Sequence, residues 1–459
     1  MFDSDSPWRR DLLALLRLTG PVAAARLGVM AMGLTDSLVV GRYSAEQLGF
    51  QALGWTLPAV AMVGAMGFLS GVQLMTARYL GQGRPDLVGG VFRRGLAYAL
   101  ALGIGMGALL FWLGPAVMHA FRLAPGLADG ATAPLLVFAA SLPSVLIAFC
   151  AGMFLEATGK AGVSMAMMWT ANLVNLGFDL LLVPGTFGLP ALGAVGSAWA
   201  TFSARTFLAA VLLAYILRMK SARSLGLFDR ASDGSAAAAE QRRLGYGAGV
   251  SQLVESAAFS GMNIVVGAVS ALAVAGWAVV LNFTAIVFMT PMGISVACAV
   301  LVAQAYGARD EAGIRRAGIL GFGVAAAYGL VAAGLAIAFK GAIAGAYTSD
   351  PALFAIASAA VGLSALFLCP DAVQVVAAQS LRARGDVLAP TLTHILSYAL
   401  VMLPLGWLLT IKLNLGLNGV VLAVVLASLM SAALLLARFW MLDQAKGPSA
   451  ASNGSRRPS

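Results

Sequence analysis

Apolar segments of twenty or more residues recur along this chain, and that recurrence limits its fold more than any single motif does. A helix needs about 20 apolar residues to cross the ~30 Å hydrocarbon core of a bilayer. In that medium only helices and closed barrels satisfy every backbone polar group. Twelve segments can be placed, near residues 16–41, 50–78, 94–114, 133–154, 162–184, 194–217, 245–268, 275–304, 316–339, 352–379, 388–410 and 416–437. Of 459 residues, 60% are hydrophobic and 10% charged, with a mean hydropathy of +0.89. Soluble domains do not have this composition. The expected fold is an all-α membrane protein of twelve transmembrane helices.

The cationic side chains set the orientation. With the N-terminus in the cytoplasm, 23 of the 29 lysines and arginines fall in cytoplasmic segments. Only Arg42, Arg122, Lys340 and Lys412 fall in opposite loops, and Arg26 and Arg205 lie within spans. Such a bias is the positive-inside signature of a membrane protein with both termini cytoplasmic. The net charge of +10 therefore reports topology and not a nucleic-acid partner; the expected surroundings are the lipid bilayer. The polar N-terminus lacks a small-residue cleavage site and does not read as a removable signal peptide. Cys150, Cys298 and Cys369 all lie in apolar runs without metal-ligand spacing, and read as small core residues.

The longest polar break, Lys220–Arg243, separates two sets of six spans. Val39-Val40-Gly41 with Ser44-Ala45 recurs as Val265-Val266-Gly267 with Ser270-Ala271, an offset of 226. At that offset Met66-Gly67 matches Met292-Gly293, Gly81 matches Gly307, and Leu155-x-Ala-x-Gly159 matches Leu381-x-Ala-x-Gly385. Leu192-Gly193 with Gly196 matches Leu415-Gly416 with Gly419 at 223. Six spans per half give the repeats one orientation, related by an axis along the membrane normal. The expected domains are an N-terminal six-helix lobe (1–218), a cytoplasmic linker (219–244), a C-terminal six-helix lobe (245–440) and a disordered cytoplasmic tail (441–459).

Four acids lie well inside the spans: Asp36, Asp179, Glu255 and Asp371. A carboxylate at the bilayer centre costs roughly 2.5–3.5 kcal/mol even on the lenient insertion scale, so such residues face a protein interior or a water-filled cavity. At about 1.5 Å rise per residue, Asp36 and Asp179 share a level in the outer part of the N-terminal half. Glu255 and Asp371 share a level in the C-terminal half. Asn175 is one turn from Asp179, on the same helical face. The offset of 226 takes Asp36 to Met262, Glu255 to Val29 and Asp371 to Val145, so the acids are not a shared structural need of the repeat. They could carry protons, or ligate Na⁺ together with amide and hydroxyl oxygens.

Several stretches together resemble the multidrug and toxic compound extrusion (MATE) transporters, in their bacterial NorM-like branch. They are Thr35 to Gly41, Asn172 to Asp179 with Leu192 to Ala198, Glu255, and Asp371 followed by Leu381 to Asp386. The resemblance covers residues 10–440. It implies two six-helix lobes in a V, alternating access, and antiport of hydrophobic organic cations, drugs or toxins, against H⁺ or Na⁺. It implies no other cofactor, and we expect a monomer. An N-lobe cation site maps onto Asp36, Asn175 and Asp179, with a span-6 hydroxyl at Ser197 or Thr201; the C-lobe acids map onto Glu255 and Asp371. Some sodium-coupled members carry a tyrosine one turn before that last aspartate. Here it is Phe367, which argues against a complete C-lobe sodium site.

His119 and His394 lack partner spacing and read as incidental. Arg26 and Arg205 read either as counter-ions to the acids or as snorkelling side chains. The abundant methionines suit a soft, promiscuous surface but are mostly packing. Three rival functions fit the residues less well. A lipid-linked oligosaccharide flippase of the same broader superfamily would need a basic cavity, whereas intramembrane acids outnumber arginines here. An intramembrane enzyme would need a histidine cluster or a Ser/Lys pair at one depth. A passive channel does not need paired lobes. With no phosphate-binding loop present, the expected driving force is an ion gradient.

Overall fold

A computed structural model describes residues 6–120, 125–229 and 234–444. Twelve helices of membrane-spanning length follow one another: α1 (Pro7–Tyr43), α2 (Ala45–Gly81), α3 (Val88–Ala120), α4 (Leu127–Ala157), α5 (Ala161–Leu182), α6 (Gly193–Arg218), α7 (Gly234–Gly267), α8 (Ala271–Gly307), α9 (Glu311–Tyr347), α10 (Pro351–Ala383), α11 (Leu388–Lys412) and α12 (Leu417–Gln444). No strand occurs among the described residues. Eleven of the helices are also apolar enough to cross a membrane. The exception is α7, whose second half carries Gln252, Glu255, Ser256, Ser260 and Asn263. Residues 445–459, most of the tail expected to be disordered, lie outside the described residues; α12 continues to Gln444.

The repeat seen in the sequence is also present in the local chemistry of the helix ends. Ser44 Oγ accepts from the Gln47 N–H at the start of α2 (3.4 Å), and Ser270 Oγ, 226 residues on, accepts from the Ala273 N–H at the start of α8 (3.0 Å). Each satisfies one of the donors that a helix N-terminus leaves unpaired. Gly193 and Gly416 open α6 and α12 with φ of +54° and +55°, a conformation glycine adopts without strain. At Gly193 a side chain would also collide with the Gln47 carboxamide, which accepts the Ala194 N–H at 2.9 Å.

Helices α1–α6 form one lobe and α7–α12 the other, and the two meet along α1 and α2 against α7 and α8. The meeting is confined to the end of the bundle that carries both described termini and most of the basic loops. There Gly67 of α2 lies against Gly249 of α7, and Gly293 of α8 lies against Ala23 of α1. Gly67 and Gly293, like Ala23 and Gly249, are related by 226, so the two contacts are one contact repeated by the pseudo-twofold. The same holds where Gly81 packs on the Gln304 backbone and Gly307 on that of Arg78. Absent side chains let the backbones approach, as is common for helices packed in lipid.

Arg78 bolts the seam. Its guanidinium donates to Ala383 O (3.0 and 3.2 Å), Arg382 O (3.3 Å) and Glu240 Oε1 (3.2 Å), and it lies over the Tyr306 ring. Arg316 of α9 adds an ion pair to Asp11 of α1 at 3.1 Å. Toward the opposite end Gly54 of α2 packs within its own lobe, on Ala131 and Pro134, and Gly276 of α8 packs within the other, on Leu353, Ile356 and Leu417. The result is a V, closed at the basic end and open at the other.

The longest departure from regular helix among the described residues lies in α11. Ile395–Met402 and Leu408–Lys412 are π-helical, a distortion often found near functional sites. His394 closes the regular first part of α11, and Tyr398 lies within the first π-helical stretch.

Candidate functional site

Three helices deliver the five N-lobe residues to one place. Asp36 comes from α1, Asn175 and Asp179 one turn apart from α5, and Ser197 and Thr201 one turn apart from α6. All are buried, Asn175, Asp179 and Ser197 completely. Thr201 Oγ1 donates to Asp36 Oδ2 at 2.6 Å, the short distance of a hydrogen bond to a carboxylate. Asp179 faces Asp36 and Ser197, and Asn175 is also within reach of Asp36. Gln51 of α2, which the acid-centred reading of the sequence passed over, donates to Ser197 Oγ at 3.0 Å.

The hydrogen bonding here is incomplete. Asp36 Oδ1, both Asp179 oxygens, Asn175 Oδ1 and Nδ2, and Gln51 Oε1 are buried without a hydrogen-bond partner. Buried polar atoms ordinarily find partners. A cluster of carboxylate and amide oxygens without them fits a bound proton or a hard monovalent cation, whose ligands are oxygens. Softer metals do not suit it: among the described residues no three His, Cys, Asp or Glu side chains gather into a metal-binding group.

The C-lobe acids sit differently. Glu255 of α7 and Asp371 of α10 interact electrostatically, but neither is fully buried. Gln374 Nε2 donates to Asp371 Oδ1 (3.3 Å), and Ser431 of α12 donates to Gln374 Oε1 (3.4 Å). His394 Nδ1 lies 3.7 Å from Glu255 Oε2, so the histidine read as incidental is a neighbour of the acid. Buried Arg382 places a positive charge close enough to act on Glu255, and Tyr398 and Ser428 complete the surroundings. Phe367 is buried in the apolar core of this lobe.

The two intramembrane arginines also separate. Arg205 stacks on Trp55 (4.6 Å), lies 3.4 Å from Ser141 Oγ and acts on Asp36 through space. Arg26 serves none of the four acids. Its Nη2 lies 3.3 Å from Oε1 and 3.4 Å from Oε2 of Glu156, whose Oε2 also accepts from Gln73 Nε2 at 2.8 Å. Glu156 is almost completely buried. The sequence offered one signal for it, an acid just past the expected end of span 4, beside an apolar run.

A V of two repeated six-helix lobes, each with acids in its interior, defines a two-lobe membrane transporter. The MatE family profile matches residues 21–181 and again 248–408, one copy per lobe, at nearly the offset found in the sequence. The chain belongs to this family, the MATE transporters, and is not an enzyme. It is 53% identical over 437 residues to the probable multidrug resistance protein NorM of Caulobacter vibrioides, covering 95% of this chain and 93% of that protein. The multidrug resistance protein PmpM of Pseudomonas aeruginosa is 30% identical, with 87% and 84% covered. A solved structure described as the outward-facing conformation of a multidrug resistance MATE transporter superposes with a TM-score of 0.89 at 19% identity, covering 96% and 97%; at that identity it shows the shared fold.

Proposed function

We propose that this transporter exports hydrophobic organic cations by antiport with H⁺ or Na⁺, from a bacterial inner membrane with both termini cytoplasmic. Its lobes are 1–218 and 245–440, joined by the linker 219–244, and it works as a monomer. The observation that carries this reading is the N-lobe cluster, where Asp36 and Asp179 converge with Asn175, Ser197 and Thr201 and leave buried oxygens unpartnered. Two carboxylates in a dry pocket cannot both stay ionised cheaply. Uptake of a proton or cation relieves their repulsion and lets α1, α5 and α6 repack. Differential binding of the ion to the two packings biases the lobe between states. The multidrug resistance names of the relatives support the substrate class.

Glu255 and Asp371, partly exposed and with His394 and Arg382 near Glu255, meet the organic cation. A membrane potential of about 150 mV is worth roughly 3.4 kcal/mol for each net charge moved inward, a gradient of a few hundredfold without ATP when more coupling ions enter than cations leave. The charge bias makes the basic end cytoplasmic, so the V as found opens to the outside. Ethidium transport in everted vesicles, under an imposed ΔpH and separately an imposed ΔNa⁺, tests the reading. One of the two gradients should drive ethidium movement. Equal movement with neither imposed would contradict it.

A further inference from the structure

Glu156 has no role in the coupling site described above, yet its surroundings are unusual. It lines a cavity inside the N-lobe together with Arg26, Met32, Met62, Ser164 and Arg205. It also lines a separate crevice at the lobe seam, with Arg17, Gly159, Gly162 and Gln304. The first space lies beneath the Asp36 cluster, because Arg205, one turn along α6 from Thr201, forms part of its wall. The second leads to the basic end, where Arg17 and the Gly159 and Gly162 backbone are exposed. Glu156 is thus a wall between an internal cavity and a crevice on the cytoplasmic side. It is the one carboxyl that touches both.

We infer that Glu156 relays the coupling proton between the Asp36–Asp179 pair and the cytoplasm. This rests on the proposed role of that pair. A proton leaves the Asp36–Asp179 site, crosses the cavity on water, and adds to the Glu156 carboxylate. It is then released into the seam crevice, leaving Glu156 ionised and the aspartate pair short of one proton. The route is separate from the substrate cleft, so the proton reaches the cytoplasm without the lobes parting there.

A permanent wire would leak, and the neighbours of Glu156 explain why this one does not. The charged groups facing it among the described residues are Arg26 and Arg17 of α1 and, across the cavity, Arg205 of α6. Gln73 of α2, Ser164 of α5 and Gln304 of α8 face it as neutral polar groups. Protonating Glu156 breaks its buried pairing with Arg26 and strands the guanidinium, which is costly. The proton therefore passes only when the N-lobe repacks and Arg26 shifts, which ties relay opening to the transport cycle. The internal repeat supports a specialised role, since residue 382, at the position equivalent to Glu156, is arginine.

The test uses the full chain in proteoliposomes with ethidium as probe, comparing ΔpH-driven uptake with ethidium–ethidium exchange at no gradient. Glu156→Gln should lower ΔpH-driven uptake by roughly tenfold or more, the effect of losing a positioned proton-transfer group, while exchange persists. Glu156→Asp should restore coupled uptake with its pH profile displaced to lower pH, since aspartate is intrinsically the stronger acid. Because Glu156→Gln strands Arg26, the double variant Arg26→Gln/Glu156→Gln removes both charges; it too should exchange ethidium without ΔpH drive. Parent-like ΔpH-driven uptake in the double variant would overturn the relay and leave the pair a structural one. If Asp36→Asn keeps full ΔpH drive, the coupling site itself is wrong. If Asp36→Asn loses the drive and Glu156→Gln keeps it with an unmoved pH profile, only the relay is wrong.

Discussion

The two lobes hold their acids under opposite conditions. In the N-lobe, Asp36 and Asp179 are sealed from solvent, face each other, and leave several buried oxygens without partners. In the C-lobe, Glu255 and Asp371 are partly open; Arg382 places a positive charge near Glu255, and Gln374 donates to Asp371. A sealed pair with unpartnered oxygens changes its packing when an ion arrives, because the ion removes the repulsion between the two carboxylates. An open pair gains less from an ion and is better placed to meet a cation in the cleft. On the proposed function, ion coupling belongs to the first lobe and substrate contact to the second, although both carry the same repeat.

The sharpest way to break that comparison is to neutralise each lobe in turn. Asp36→Asn or Asp179→Asn should reduce ion-driven ethidium efflux to background while the protein still inserts. Glu255→Gln or Asp371→Asn should weaken efflux less, by roughly tenfold, through a higher ethidium KM rather than lost coupling; losing a charged partner is worth about 1.5–3 kcal/mol. Drug resistance in a pump-deficient strain and ethidium kinetics in vesicles read both. A C-lobe variant that uncouples as fully as Asp36→Asn would erase the distinction.

A second prediction concerns the seam that both lobes share. Arg78→Ala removes hydrogen bonds from α2 to the end of α10 and to Glu240, weakening the closed basic end by about 3 kcal/mol. Cysteines introduced at the seam should then be labelled faster by a membrane-impermeant reagent from the cytoplasmic side. Unchanged labelling would mean that glycine packing alone holds the lobes together.

The smallest expected effect refines the N-lobe site. Asn175→Ala should weaken ethidium efflux more under Na⁺ drive than under H⁺ drive, because an amide oxygen ligates a metal ion but carries no proton. Equal losses under both gradients would make Asn175 a packing residue.

Much of this architecture was legible in the chain because membrane helices announce themselves by length and apolarity, and because the repeat kept its spacing. Ser44 and Ser270, matched in sequence, turned out to be matched helix caps. Asp36, Asn175 and Asp179 were legible because acids in lipid-length runs are conspicuous and helical spacing puts Asn175 and Asp179 on one face; the span-6 hydroxyl, Ser197 or Thr201, was implied only by the family resemblance. What escaped was partnership across the fold. Arg26 meets Glu156 from 130 residues away, and no periodicity encodes that distance. Gln51 is neutral and so drew no attention in an apolar span. His394 meets Glu255 across the fold, from α11 to α7, and no pattern in the sequence encodes that contact.

The central claim, that the N-lobe carboxyl pair carries the coupling ion, is tested most directly by ion-driven ethidium uptake into proteoliposomes. The parent, Asp36→Asn/Asp179→Asn and Glu255→Gln/Asp371→Asn would be measured side by side under ΔpH and under ΔNa⁺. The account predicts that the N-lobe variant stays at background under the gradient that drives the parent. The C-lobe variant should still respond to that gradient at raised ethidium concentration. Uptake by the N-lobe variant at the parent's rate would contradict the account.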